Sequence, residues 1–318
     1  MKKLWVYNPW NDIALGKNTE HFTPPPAALQ QMIAGETLLL KTLSKNDFVF
    51  SHIPQQQLQL LPPTNAKVWN GESFDKIIVW GWSAAMVNEL LRAGVPPKHL
   101  PHKTTLDNIR RLSHRRLSIE LHHQLRSPFV PVEATTVDEC LEALEKWNTV
   151  IGKYPWSSTG RGLFAGSPQF LQSFINRCKG AINHQGSVLI EKAFDVDTDF
   201  AMLFHSGPDQ QVEFIGYSLF ATNRRAYTHN IPLSDLQIQQ LLATKVPLQT
   251  LLDARQIVSD FITRRISPLY QGYLGVDMMI YRMDNTLHLN PCVEINLRMT
   301  MGILHKLLMS STKPPKLL

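Results

Sequence analysis

Three oxygen-bearing side chains near the C-terminus could hold a hard cation. Glu294 and Asn296 lie two residues apart in the apolar run 287–298, so on a strand both leave the same face. Asp277 is the single acidic residue in the apolar run 275–281, and Asp284-Asn285 between the two runs reads as a turn. Cross-strand pairing would set Asp277 beside Glu294 and Asn296. Two carboxylates and an amide oxygen on one sheet face suit Mg²⁺, held through a few protein ligands plus substrate phosphates. Arg298 continues the same face and could clamp an anion bidentately. The bland alternative is an edge strand with a solvated polar face.

A second set lies upstream. Lys153 lies near the end of the short apolar run 150–154, ahead of Ser157, Ser158, Thr159, Gly160, Arg161 and Gly162. Small and glycine residues let backbone N–H groups approach a phosphate, and the ammonium group adds a point charge. Taken alone, the stretch is equally a polar surface turn. Some forty residues later an apolar strand, 187–192, ends in Glu191-Lys192 ahead of Ala193-Phe194. Its end can offer backbone groups to an adenine edge, and Asp199 could accept hydrogen bonds from ribose hydroxyls. Alone, Glu191 reads as a salt-bridged strand terminus.

These residues need elements to carry them. An α/β region opens the chain, with strands at 4–7, 48–50 and 76–80 and a strand–turn–helix unit at 77–92; prolines at 96, 97 and 101 mark its boundary. Leucines and isoleucine at 106, 109, 112, 117, 121 and 125 recur at helical spacing, predicting one amphipathic helix whose polar face carries Arg110, Arg111, Arg115, Arg116 and Arg126. Such faces are usually solvated, with attraction of an anionic ligand next. Thr136 and Glu139 form a capping box ahead of a helix over 137–147. Further helices are expected at 169–177 and 251–264, and a β-pair at 200–204 and 212–219.

Composition narrows the class. The chain has 318 residues, 43% of them hydrophobic, enough for a sizeable core and two or three domains. Net charge is +6, but no zinc-finger spacing, RNA-binding aromatic motif or arginine-rich tail supports nucleic acid as a partner. Three widely spaced cysteines, Cys140, Cys178 and Cys292, argue against a disulfide framework or a zinc site. No apolar run approaches membrane-spanning length, so the expectation is a cytoplasmic protein without membrane contact.

Three familiar motifs fail. Gly81-Trp82-Ser83-Ala84-Ala85 is reminiscent of a nucleophile elbow, which would make Ser83 a hydrolytic serine, but the second glycine is missing and Ser83 serves better as a helix N-cap. Neither GxxxxGK[ST] nor GxGxxG occurs.

In this order the pieces resemble the ATP-grasp superfamily over roughly 106–302, with a plausible α/β domain before it. The resemblance implies an α+β fold of two subdomains clasping ATP, preceded by a Rossmann-like α/β domain. The expected divisions are 1–103, 104–192 for the small lobe with the lysine strand, and 193–318 for the lobe with the magnesium-binding strands. It implies that Lys153 contacts the α/β-phosphates, that 157–162 covers the triphosphate, and that Glu191, Lys192 and the backbone near Phe194 read adenine. Asp199 would take the ribose, Asp277, Glu294 and Asn296 the magnesium, and Arg298 a place beside the reacting carboxylate.

The family's chemistry is attack of a substrate carboxylate on ATP's γ-phosphorus, then displacement of phosphate by an amine or thiol. A small-molecule kinase and a nucleotide-binding regulator are the alternatives. The sequence departs from the pattern where an early family lysine is expected, with Arg115 or Arg116 nearby. Leu297 stands where a small residue or proline is common, and the 154–162 loop is glycine-poor. Expected partners are ATP, Mg²⁺ and small-molecule acid and amine substrates, with homodimerisation left open. Asn8, Asn11 and Asp12 follow the first strand and could face an amine or amino-acid substrate, although such a turn also stabilises itself. Arg224, Arg225, Tyr227 and His229 are candidates for gripping an acidic co-substrate.

Overall fold

The computed structural model describes residues 1–157, 162–223 and 226–311. The chain divides into two compact units, one holding Met1–Asp107 and the chain from Arg298, the other Asn108–Leu297.

The first unit is a parallel sheet in the order β3–β2–β1–β4, built from β1 (Lys3–Val6), β2 (Phe48–Phe50), β3 (Lys67–Val68) and β4 (Lys76–Val79). Helices α1 (Asn11–Lys17), α2 (Pro26–Thr42) and α3 (Gln55–Leu60) lie in its connections, and α4 (Ala84–Arg92) follows β4. Leu4, Trp5 and Val6 are buried in succession, as expected of a parallel strand covered on both faces. The sheet order reverses between β1 and β4. There the buried Asn8 amide donates to Gly81 O (2.9 Å) and accepts from Gly81 N (3.2 Å), tying the two strand ends together. The C-terminal helix Met301–Ser311 joins this unit, with Met299 N donating to Trp80 O at 2.8 Å. The segment from Arg298 to Ser311 therefore belongs with the N-terminal sheet.

Where one amphipathic helix was expected through the arginines, there are two, α5 (Lys103–Leu112) and α6 (Leu117–Gln124). Tertiary bonds replace helical ones at the break. The Trp156 indole donates to Arg110 O (3.0 Å), and Arg115 N donates to Pro155 O (3.2 Å).

The second unit contains two antiparallel sheets. The smaller, in the order β5–β8–β6–β7, comprises β5 (Val132–Ala134), β6 (Val150–Lys153), β7 (Leu163–Gly166) and β8 (Val188–Lys192). It is backed by α7 (Val137–Trp147) and α8 (Leu171–Gln185) over a core that includes Leu144, Val150, Phe174 and Val188. The Thr136–Glu139 capping box starts α7, and Gly186 ends α8 at φ 85°, a left-handed conformation costly for other residues. Gly152 is needed for packing, because a Cβ there would meet the Phe164 ring at 2.3 Å.

The larger sheet runs β11–β10–β9–β12–β13, from β9 (Asp195–Ser206), β10 (Val212–Asn223), β11 (Ala226–Ile231), β12 (Gly272–Met283) and β13 (Thr286–Asn296). Five consecutive buried residues, Phe200 to Phe204, place the centre of β9 between two covered faces. Each of the large ones, Phe200, Met202, Leu203 and Phe204, contributes about 1.5–3 kcal/mol relative to an exposed side chain. Helices α9 (Asp235–Ala243) and α10 (Leu248–Phe261) connect β11 to β12, α10 ending in a π-helical turn, Ile262–Ile266. Asp284 and Asn285 both have positive φ, 50° and 59°, the left-handed pair that a tight two-residue β12–β13 hairpin requires. The three cysteines are buried free thiols. Among the described residues no helix is long and apolar enough to cross a membrane.

Candidate functional site

The β12–β13 pairing brings the three oxygen-bearing side chains together. Asp277 lies directly opposite Glu294, so both leave the same face, and Asn296 Nδ2 donates to Asp277 Oδ2 at 3.0 Å. The register then slips: Met279 lies opposite Asn290, so β13 carries extra residues around Pro291–Val293. Pro291 cannot donate to a ladder, and prolines within sheets favour such bulges. Carbonyls of the bulge accept from other elements: Cys292 O from His122 Nε2 of α6 (2.6 Å), and Val293 O from Lys153 Nζ of β6 (2.9 Å). The strand that carries Glu294 is therefore held from two sides.

Lys153 is buried at the end of β6, and its ammonium is 2.6 Å from Glu191 Oε2. The β6–β8 register pairs Ile151 with Glu191, which makes Lys153 its diagonal neighbour. Burial pushes the Glu191 carboxyl up, against the pull of Lys153 and Arg115. Glu191 Oε1 is buried without a hydrogen-bond partner in the structure. The Glu191 side chain thus meets the lysine through Oε2 alone.

Of the two arginines considered for the early cation, only Arg115 turns inward. Arg116 is half-exposed and lies 3.6 Å from Glu133. Arg115 is buried, and its Nη2 donates to Glu294 Oε1 at 2.7 Å. The same guanidinium donates to Ser157 Oγ (2.6 Å), Ser157 O (3.3 Å) and Tyr154 O (2.5 Å). Trp156 anchors this segment. The Gln185 amide accepts from Trp156 N and donates to Trp156 O, Arg110 lies 4.1 Å from the ring centroid, and His114 packs edge-on at 4.5 Å. The loop base closes where Tyr154 N donates to Gly162 O at 2.9 Å. Ser158, Thr159, Gly160 and Arg161 lie outside the described residues.

At the end of β8, the Lys192 ammonium sits 4.3 Å from the Phe129 ring centroid, and Phe194 packs on Tyr281 at 4.1 Å. Asp199 accepts from Thr222 Oγ1 at 2.8 Å.

Arg298 lies beyond β13, which ends at Asn296, and belongs to the first unit. Its Nε donates to Asp12 Oδ2 at 2.8 Å. Asn8 clamps the ends of β1 and β4, while both side-chain polar atoms of Asn11 are buried without a hydrogen-bond partner in the structure. Ser83 is buried, and its hydroxyl accepts from Met86 N at 3.4 Å as the N-cap of α4. Arg224 and Arg225 lie outside the described residues; Tyr227 and His229 are on β11.

The sequence reading missed His122, Trp156 and Gln185. Only Pro291 inside a strand signalled the bulge that two of the site's donors grip.

Asp277, Glu294 and Asn296 offer hard oxygen ligands of the kind Mg²⁺ prefers. Among the described residues no three His, Cys, Asp or Glu side chains gather as a metal site; the cluster here is two carboxylates and an amide.

No protein-family model matches the chain, and no curated protein sequence matches it. Solved structures do resemble it in fold. D-alanyl-alanine synthetase A from Vibrio cholerae O1 shares 12% identity over 99% of this chain and 94% of its own, with a TM-score of 0.53. The biotin carboxylase domain of the Hydrogenobacter thermophilus 2-oxoglutarate carboxylase, in complex with MgADP, ADP and bicarbonate, shares 13% identity over 99% and 70% (TM-score 0.55). N5-carboxyaminoimidazole synthetase from Staphylococcus aureus, complexed with ADP, shares 13% over 95% and 71% (TM-score 0.54).

Proposed function

We propose that this chain, which has the ATP-grasp fold, is an ATP-dependent carboxylate–amine (or carboxylate–thiol) ligase. The observation that carries the reading is the convergence on β13: Asp277 opposite Glu294, Asn296 bonded to Asp277, and Lys153 reaching the carbonyl of Val293.

In this reading Lys153 and Arg115 supply positive charge to the phosphates of ATP, each released from its present carboxylate partner when the nucleotide arrives. Backbone groups beyond Glu191, near Lys192 and Phe194, read adenine, and Asp199 accepts from the ribose. A magnesium ion held by Asp277, Glu294 and Asn296 would neutralise oxygens of the transferring phosphoryl group. Attack by a substrate carboxylate on the γ-phosphorus gives an acyl phosphate and ADP, and an amine or thiol then displaces phosphate. Such chemistry asks the protein for positioning, charge and exclusion of water rather than for a nucleophile of its own. Arg298 is assigned to the reacting carboxylate, and Asn8, Asn11 and Asp12 to the substrates. The divisions 1–103, 104–192 and 193–318 are kept as the proposed division of labour.

The test is release of ADP and phosphate from ATP across a panel of acids, with and without amines and thiols. A ligase needs both partners and a small-molecule kinase needs one. A nucleotide-binding regulator releases no ADP or phosphate under any of these conditions, and that result would end the proposal.

A further inference from the structure

We propose that Arg115 is a built-in counter-ion for Glu294 that suppresses divalent-cation binding until a polyphosphate is present. This rests on the reading of Asp277, Glu294 and Asn296 as the cation's ligands.

The turn between α5 and α6 delivers the guanidinium to a place where two groups of contacts fix it. Tyr154 O, Ser157 O and Ser157 Oγ anchor it on one side, and Glu294 Oε1, 2.7 Å from Nη2, takes its charge on the other. Glu294 is 25% exposed and Arg115 6%, so water screens this pair only in part. A carboxylate paired in this way has less to offer a second cation. An incoming divalent ion must displace the guanidinium or share the oxygen with it, and two positive centres then face each other at short range.

A polyphosphate reverses the balance. Guanidinium binds phosphate oxygens bidentately, so Arg115 can exchange one anion for another while Glu294 becomes available. Its bonds to Ser157 already place it beside the segment that follows Lys153. Cation and nucleotide are then positively coupled through one side chain, without any shift of the β12–β13 backbone.

The experiment titrates Mn²⁺, with no nucleotide, into the wild type, Arg115→Gln and Arg115→Lys, counting free ion by electron paramagnetic resonance. Loss of the charge should tighten nucleotide-free Mn²⁺ binding by at least about fivefold. Arg115→Lys, which keeps the charge, should stay close to the wild type. Should Arg115→Gln fail to fold, Arg115→Met keeps the aliphatic stem and serves instead. A parallel wild-type titration with ADP, corrected for Mn²⁺ bound by ADP alone, tests the underlying reading. Absence of ADP-dependent Mn²⁺ binding overturns both claims. ADP-dependent binding with unchanged or weaker nucleotide-free affinity in the charge-free variant overturns the counter-ion role alone.

Discussion

The Lys153 ammonium and the Glu191 carboxylate form an ion pair 2.6 Å long, with side chains only 6% and 9% exposed. Neither charge has bulk water to fall back on, so removing one strands the other. Lys153→Met should destabilise the protein by about 3–5 kcal/mol, whereas adding Glu191→Gln should recover much of that loss. Urea unfolding of the two single variants and the double variant gives the coupling directly. Strictly additive losses would show that the pair is not a unit.

Histidines should tilt stability in opposite directions with pH. His52 lies 2.7 Å from Glu36 and 2.5 Å from Glu89. Burial opposes its charge, but the two carboxylates outweigh burial and raise it from 6.5 to about 9. Its stabilisation is therefore complete below pH 6.5 and lost as pH climbs through about 9, up to roughly 3 kcal/mol.

His122 and His114 act the other way. Burial lowers them to about 4 and about 3, helped at His122 by Lys153 and at His114 by Arg116, Arg110 and Arg115. Each favours folding while neutral, so its contribution is complete above pH 6.5 and fades as pH falls through those values. Urea midpoints against pH should lose their alkaline decline in His52→Gln and part of their acid decline in His122→Gln. An alkaline decline that survives His52→Gln would contradict the assignment.

Ser83→Ala should leave turnover nearly intact and cost about 1 kcal/mol, the usual loss of an N-cap. Glu294→Ala should abolish Mg²⁺-dependent turnover. Initial rates for the two variants separate the readings, and the opposite pattern would point to a hydrolytic serine.

What could be read in the sequence was local. The Thr136–Glu139 capping box, the Asp284-Asn285 turn and the Glu294/Asn296 spacing each act over a few residues, and each appears where the pattern put it. The missed features depend on distant partners. Helical spacing through 106–125 gave no warning that Trp156 and Pro155 would take backbone bonds there, or that the resulting turn would send Arg115 to Glu294, 179 residues away. Arg298 was set beside the acids by carrying the strand on past Asn296, where β13 ends. Nothing local announced that its Nε would donate to Asp12, 286 residues earlier. Periodicity says which way a side chain points from its own element, and is silent on what another element brings to meet it.

The most direct test is anomalous diffraction from Mn²⁺ in crystals of the protein grown with ADP. The account predicts one peak about 2.1–2.2 Å from oxygens of Glu294 and Asn296, with Asp277 bound directly or through water and the ADP β-phosphate completing the shell. A peak away from β12 and β13, or ADP bound far from Lys153, would contradict it.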